Sequence, residues 1–155
     1  MKKTIPTDAS ALENHIGFWL RFVSNQVSGR FENLLAAHDV KVTEWVALRV
    51  LYQCKHTTHA GLIDALGMTK GAASKVITKL ESKGLAERSP AKDSAREQEL
   101  CLTKAGNELV PILAAVADEN DAHFFGHLSE NQRQGLINLM KDLVSHHQLK
   151  QIPTK

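Results

Sequence analysis

Residues 66–85 read LGMTKGAASKVITKLESKGL, and this stretch decides the fold of the chain. Gly67 and Gly84 can adopt the left-handed backbone conformation that ends a helix and turns the chain. Between these glycines, the apolar residues recur at steps of three and four, which is the period of a helix with one buried face. They are Ala73, Val76, Ile77 and Leu80. We therefore predict a helix that is N-capped by Thr69 and runs to Lys83.

A shorter helix precedes this one. Thr57 or Thr58 can serve as its N-cap, and we predict that it spans residues 59–66. Two helices joined by a glycine turn, with the second helix basic, follow the order of a helix-turn-helix. We place this helix-turn-helix at about residues 58–84.

The exposed face of the second helix carries small, hydroxylated or basic residues, namely Gly71, Ser74, Lys75, Thr78 and Ser82. Such a face suits the DNA major groove, because small side chains allow close approach and hydroxyl or amino groups can contact bases and phosphates. The free backbone N–H groups after Thr69 can also bind a phosphate. Taken alone, the same pattern fits an ordinary amphipathic helix that faces solvent.

A basic β-hairpin is predicted directly after the second helix. Residues 85–89 read as a short strand, residues 90–96 as a polar turn, and residues 97–102 as a strand that alternates between buried and exposed positions. Basic residues lie on or beside the predicted tip, namely Arg88, Lys92 and Arg96. A basic hairpin in this position is a wing that can reach the minor groove, where arginine is favoured. The alternative is a charged hairpin that binds nothing.

The charge distribution indicates one surface that contacts a polyanion. The chain has a net charge of +2, whereas residues 69–96 contain seven basic and three acidic residues and carry +4, so the remainder carries −2. We predict DNA contacts from Thr58, His59, Thr69, Lys70, Gly71, Ser74, Lys75, Thr78, Lys79, Arg88, Lys92, Asp93 and Arg96.

Long helices are predicted on both sides of this lobe. The first spans about residues 10–38, which is longer than a small core can cover, so part of its apolar face needs another partner. A second helix follows, with Thr43 as its N-cap, and it ends near Cys54. After the hairpin, Thr103 caps a helix that runs to about residue 127, and Pro111 should bend it. Ser129 and Gln132 form a capping box for a last helix.

Several of these segments resemble the MarR family of transcriptional regulators. Residues 66–85 are similar to its helix-turn-helix, and residues 93–96 with residues 100–106 are similar to its wing signature. Residues 16–21 and 43–48 match its first two helices in order and spacing. One departure is that the family places the wing aspartate two residues before the arginine, whereas Asp93 lies three residues before Arg96.

The resemblance implies one domain over residues 10–148, mainly α-helical with a small β-hairpin wing (α+β). It implies a winged helix-turn-helix lobe at 43–103, with the wing at about 85–103, and dimerisation helices at 10–38 and 104–148. A two-fold dimer would place two recognition helices about 34 Å apart on a palindromic operator. The function so implied is a sequence-specific regulator, taken here as a repressor.

A small aromatic or apolar effector is also implied, because members of the family are released from DNA by such molecules. On helices one and two, the side chains that could line a crevice are His15, Trp19, Phe22, Trp45 and Arg49. The alternative is that these residues belong to the core or to the dimer interface.

Other functions find little support in the sequence. There is no CxxC pair, no phosphate-binding glycine loop and no HExxH or GxSxG motif, so we expect neither an enzyme nor a metal or other cofactor. No apolar stretch of membrane-spanning or signal-peptide type is found, so we expect a cytoplasmic protein with no membrane contact. The alternative function is a helical dimeric interaction module, or an oxidant sensor that uses Cys54 or Cys101, with weak or no DNA binding.

Overall fold

The computed structural model describes residues 8–150 and 152–153, and for residues 94–97 it describes the backbone alone. The helices in this part of the chain are α1 (Ile16–Ala36), α2 (Val42–Cys54), α3 (His59–Leu66), α4 (Lys70–Ser82), α5 (Lys104–Phe125) and α6 (Glu130–His146). The strands are β1 (His56–Thr58), β2 (Ala86–Ala91) and β3 (Ser94–Leu102). The predicted fold class, mainly α with a β-hairpin wing, is confirmed.

The core lies in the central lobe, where α2, α3 and α4 pack against one face of the sheet and the first half of α5. Its largest fully buried apolar side chains are Leu35, Leu48, Leu51, Leu62, Leu66, Ile77, Leu80, Leu100, Val110 and Leu113. Each such side chain contributes about 1.5–3 kcal/mol by leaving water. The core therefore fixes the orientation of α4, because Ile77 and Leu80 cannot turn outward without losing this burial.

The sheet contains a strand that the sequence did not predict. Its order is β1-β3-β2, all antiparallel, and Thr57 of β1 lies opposite Leu100 of β3. The strand β1 is three residues long and polar, so it has no alternating pattern from which it could be recognised. Its pairing with β3 connects the start of α3 to the base of the wing.

The wing differs from its prediction. Residues 90–96 were expected to form a turn, but the turn comprises Lys92 and Asp93 alone, and both strands extend into the predicted loop. Pro90 is accommodated because β2 lies at the edge of the sheet, where a missing N–H breaks no internal pairing. The register shifts between Pro90, which lies opposite Gln98, and Ala91, which lies opposite Ser94. The unusual spacing of Asp93 and Arg96 therefore falls in the same stretch as this irregularity of the wing.

The predicted start of the first helix, at residue 10, is also wrong. A short 3-10 turn at Leu12–Asn14 is followed by His15 in an extended conformation, with φ −94° and ψ 119°, and α1 begins at Ile16. The indole N–H of Trp19 donates to the carbonyl oxygen of Glu13 at 2.8 Å, which folds the N-terminal turn back onto the helix.

The helix caps follow the sequence with one exception. The hydroxyl groups of Thr58, Thr69 and Thr103 each accept a hydrogen bond from the backbone N–H three residues later, and the Ser129 capping box is formed. The prediction that Thr43 caps α2 is wrong, since the N-cap is Lys41. The carboxylate of Glu44 accepts a hydrogen bond from the Lys41 backbone N–H at 2.9 Å. This bond, and not one to Thr43, satisfies the backbone at the start of α2.

The first turn of α5 is fastened to the loop that follows α4. The Thr103 hydroxyl donates to the carbonyl oxygen of Gly84, and the Thr103 backbone N–H donates to that of Leu85 at 3.1 Å. One turn into α5, a Cβ on Gly106 would lie 2.1 Å from the Leu85 carbonyl oxygen, so only glycine allows this close approach.

A polar contact joins α1 to α5. The buried Asn120 side chain donates to the carbonyl oxygen of Val27 at 3.1 Å and accepts from the Arg30 guanidinium at 3.1 Å. Arg30 also forms an ion pair with Glu119. Because Asn120 is buried, its amide needs these partners, and the contact fixes the relative positions of the two helices.

A buried ion pair joins α2 to the end of α4. The Lys83 ammonium lies 2.9 Å from the Glu44 carboxylate, and their side chains are 17% and 3% exposed. Lys83 also donates to the backbone carbonyl oxygen of Asp39, which has a positive φ of 55° in the loop before α2. The Lys83 charge, which the sequence placed in the basic stripe, therefore lies inside the protein.

We predict that Lys83→Met lowers the free energy of unfolding by about 3–5 kcal/mol, because the Glu44 carboxylate would remain buried without its countercharge. Urea denaturation at pH 7 measures this loss. Lys79→Met, which removes an exposed charge one helical turn earlier, is the control and should change stability little. A loss below about 1 kcal/mol for Lys83→Met would contradict a buried, coupled pair.

Candidate DNA-binding site

The recognition helix α4 presents the face that the sequence predicted. Its apolar residues Ala73, Val76, Ile77 and Leu80 are buried. On the opposite side, Lys70, Gly71, Lys75, Thr78 and Lys79 are exposed, and Ser74 is half-buried at the margin. The helix begins at the exposed N-cap Thr69, whose hydroxyl accepts from the Ala72 N–H at 3.2 Å. The remaining N–H groups of the first turn are available to an anion.

The turn between α3 and α4 has the predicted geometry. Gly67 adopts the left-handed conformation, with φ 61° and ψ 26°, and its N–H donates to the carbonyl oxygen of Ile63 at 2.9 Å. At the other end of α3, Thr58 serves as the N-cap, so its hydroxyl is engaged with the Gly61 N–H at 3.0 Å.

Two predicted DNA-contacting residues meet between the helices. His59 Nε2 lies 3.3 Å from Ser74 Oγ, so the first residue of α3 is hydrogen-bonded to the middle of α4. Sequence spacing gave no indication of this contact, because the two residues are fifteen positions apart. The hydrogen bond holds the Ser74 hydroxyl at the edge of the exposed face.

The wing is attached to α4 by an ion pair. The Arg88 guanidinium on β2 binds the carboxylate of Glu81 on α4 through Nε to Oε1 and through Nη2 to Oε2, the second at 3.3 Å. Arg88 was predicted beside the wing tip, but it lies in the middle of β2, opposite Leu100. Lys92 and Asp93 form the exposed turn. The side chain of Arg96, also predicted to contact DNA, lies outside the described residues.

The positive charge of the site is therefore smaller than the sequence count. Of the seven basic residues in 69–96, Lys83 is paired with the buried carboxylate of Glu44, and Arg88 is paired with the partly exposed carboxylate of Glu81. The lysines exposed on α4 and at the wing turn are Lys70, Lys75, Lys79 and Lys92. Lys70, Lys75 and Lys79 lie on the exposed half of α4, which also carries Gly71 and Thr78, and Lys92 lies in the turn of the wing.

Comparison with known proteins relates the lobe to a family of regulators. Residues 40–98, which run from the loop before α2 into β3, match the family model described as the MarR family. Over this segment, which holds the helix-turn-helix and most of the wing, the chain is similar to the MarR family. Over 88% of its length it is 25% identical to the HTH-type transcriptional regulator SarZ of Staphylococcus haemolyticus strain JCSC1435, and 92% of that relative is covered.

Two solved structures share the fold of this protein. A variant of MarR from E. coli, in complex with operator DNA, superposes with a TM-score of 0.75 at 19% identity, covering 88% of this chain and 99% of that one. CouR from Rhodococcus jostii RHA1, bound to p-coumaroyl-CoA, superposes with a TM-score of 0.72 at 20% identity, covering 94% and 99%. At these identities the likeness shows the fold, which is the winged helix-turn-helix with long flanking helices.

The five residues predicted to bind an effector lie in two separate places. His15, Trp19 and Phe22 are exposed at the N-terminal end of α1, where Trp19 packs edge-on to Phe18. On α2, the Arg49 guanidinium lies 5.6 Å from the centre of the Trp45 ring, and Trp45 packs edge-on to Phe31.

A cavity of about 280 Å³ lies between α1 and α2. It is lined by Ser28, Phe31, Glu32, Val42, Trp45, Val46, Ile152 and Pro153. Of the five predicted effector residues, Trp45 lines it. The sequence analysis did not include the other seven, and Phe31 could have been found from its place on the apolar stripe of α1.

The two cysteines of the chain differ in environment. Cys54 is exposed at the end of α2, whereas Cys101 is half-buried on β3, with its Sγ 3.7 Å from a carboxylate oxygen of Glu87. Burial raises the pKa of the Cys101 thiol, and the negative charges of Glu87 and then Glu99 raise it further. A thiol with a raised pKa holds less of the reactive thiolate at neutral pH.

Neither a metal cluster nor a membrane-spanning segment is found in residues 8–150 and 152–153. No group of three or more His, Cys, Asp or Glu side chains in these ranges could hold a metal ion. In the same ranges, every helix is too short or too polar to cross a bilayer.

We predict that iodoacetamide alkylates Cys101 more slowly than Cys54 at pH 7.5, because less of Cys101 is thiolate and more of it is shielded. The rates are measured by mass spectrometry on the single-cysteine variants Cys54→Ser and Cys101→Ser. Adding Glu87→Gln to the Cys54→Ser variant should increase the alkylation rate of Cys101, because it removes a negative charge that raises the pKa of this thiol. Faster reaction at Cys101 than at Cys54 would restore this cysteine as a candidate oxidant sensor.

Proposed function

We propose that this protein is a transcriptional repressor of the MarR family that binds a palindromic operator, sequence-specifically and as a homodimer. The observation that carries the proposal is the outward face of α4, where Gly71, Ser74, Lys75 and Thr78 lie opposite a fully buried apolar stripe. A rigid helix with this face fits the major groove, and the wing attached to it reaches the adjacent backbone or minor groove.

The apolar surface outside the lobe supports the homodimer. Within α6, every residue of which is described, none is buried. Its exposed apolar residues are Leu136, Ile137, Leu139, Met140, Leu143 and Val144. The N-terminal segment exposes Leu12, Ile16, Trp19, Leu20, Phe22 and Val23. Apolar patches of this extent mark interfaces, so we assign residues 10–38 and 104–148 to contacts between two copies.

The contacts with DNA divide into two kinds. Ser74, Lys75 and Thr78 would contact base edges, while Lys70, Lys79 and Lys92 would contact phosphates. The other predicted residues, namely Thr58, His59, Thr69, Gly71, Arg88, Asp93 and Arg96, would position the lobe or line its contact with the backbone. In a two-fold dimer, two such lobes would bind half-sites one helical turn apart.

We further propose that a small aromatic or apolar effector releases the protein from DNA. The Phe31–Trp45 cavity is large enough for one aromatic ring system and is lined mainly by apolar side chains. The fold of CouR, which is bound to p-coumaroyl-CoA, is similar. The proposed role is binding without catalysis, in the cytoplasm where the operator would lie.

We predict that binding to a palindrome selected from a random duplex library is steeply salt-dependent and that two protomers bind each duplex. Four exposed lysines per protomer, if all contact phosphates, give a slope of log K against log salt of about −7. Affinity should then fall about 10⁴-fold between 50 and 200 mM salt. Fluorescence anisotropy and sedimentation velocity measure these quantities. Weak, salt-insensitive binding would instead favour the dimeric interaction module, and a monomer would contradict the proposed homodimer.

We predict that Lys75→Ala weakens operator binding and reduces the magnitude of the salt slope by about 0.9 per protomer if the lysine contacts a phosphate. If Lys75 contacts a base, the substitution should cost about 1–3 kcal/mol of binding free energy. The preference for a particular base should then be lost at one position of each half-site. Lys104→Ala is the matched control, because Lys104 is an exposed lysine at the start of α5. Equal binding by both variants would remove Lys75 from the site.

A further inference from the structure

We propose that Glu81 is a specificity-determining residue, which holds the Arg88 guanidinium away from DNA phosphate and so weakens binding to duplexes that lack the operator. The inference rests on the DNA-binding function proposed above, and it concerns a residue that the sequence analysis did not include in the site.

The geometry of the pair matches that of a phosphate contact. Two nitrogens of the Arg88 guanidinium face the two carboxylate oxygens of Glu81, in the forked arrangement that arginine also uses with phosphate. Glu81 therefore occupies the same donors that a phosphate would need. Both side chains remain accessible, at 36% exposed for Arg88 and 29% for Glu81, so the pair lies where DNA can reach it.

The position of the pair determines which binding mode it affects. Glu81 lies on the last turn of the recognition helix and Arg88 on the first strand of the wing, so a free Arg88 would add a positive charge between two DNA-contacting elements. Binding to non-operator DNA is almost entirely a phosphate effect that increases with each available cation. Pairing Arg88 with Glu81 removes one such cation per protomer while leaving the base-contacting face of α4 unchanged.

The neighbouring residue on β2 provides a matched control. Glu87 is exposed, and its carboxylate lies beside the Cys101 thiol instead of Arg88. Glu87→Gln therefore removes the same charge at the residue next to Arg88 without releasing Arg88. A general effect of net charge should appear in both variants, whereas release of Arg88 should appear only in the Glu81 variant.

The experiment compares Glu81→Gln, Glu81→Ala, Glu87→Gln and the double variant Glu81→Gln/Arg88→Gln. Binding of the full chain to a random-sequence duplex and to the selected operator is measured by anisotropy from 50 to 200 mM salt. Thermal unfolding verifies that each variant folds, which is expected because an exposed ion pair contributes little to stability.

For the random duplex, both Glu81 variants should bind more tightly than Glu87→Gln. Their salt slopes should be steeper by about 0.9 per protomer, or about 1.8 for a dimer, so that affinity falls by a further factor of about 12 between 50 and 200 mM salt. This gain in affinity for the random duplex should disappear in the double variant. The affinity for the operator divided by the affinity for the random duplex should be smaller in the Glu81 variants than in the unmodified protein.

Equal slopes for Glu81→Gln and Glu87→Gln would overturn the inference, as would a gain that persists in the double variant. Weaker binding of the Glu81 variants to both duplexes would also overturn it, because the pair would then only anchor the wing. Failure of the proposed function would give a different result. The unmodified protein would then bind the operator no more tightly than the random duplex.

Discussion

Burial of the apolar face of α4 is the constraint on which the arrangement of the lobe depends. Ile77 and Leu80 have almost no contact with solvent, and they can keep this burial in only one rotational setting of the helix. That setting turns Lys75 and Thr78 outward. The hydrophobic core and the proposed DNA-binding face are thus two consequences of the same helix rotation, and a change that loosened the core would also misdirect the side chains proposed to contact DNA.

The helices of the lobe could be predicted from the sequence because their signals are local. Threonine caps at positions 58, 69 and 103, the left-handed Gly67 and the apolar period of α4 each involve residues within a few positions of one another. The family resemblance added a dimeric arrangement, which periodicity alone could not give and which stays a prediction. The orientation of the exposed face of α4 followed directly from its buried residues.

What could not be predicted depends on contacts between distant segments. The strand β1 exists because residues 56–58 pair with residues 99–101, and nothing in a three-residue polar stretch reveals this. Lys83 and Arg88 were counted as free cations because their partners Glu44 and Glu81 are identified only once α2, α4 and β2 are packed together. The start of α1 was placed too early because the break at His15 is stabilised by a side-chain contact from Trp19.

The joint at Thr103 and Gly106 has a mechanical consequence. The first turn of α5 is hydrogen-bonded to the residues that directly follow α4. The missing Cβ of Gly106 lets these two segments lie in direct contact. Further along, Asn120 clamps α5 to α1. A tilt of α5 about the Asn120 contact would therefore carry the residues after α4 with it, and their displacement would grow with distance along α5. In a two-fold dimer, a slight change in the angle between the two copies of α5 would change the spacing of the two copies of α4.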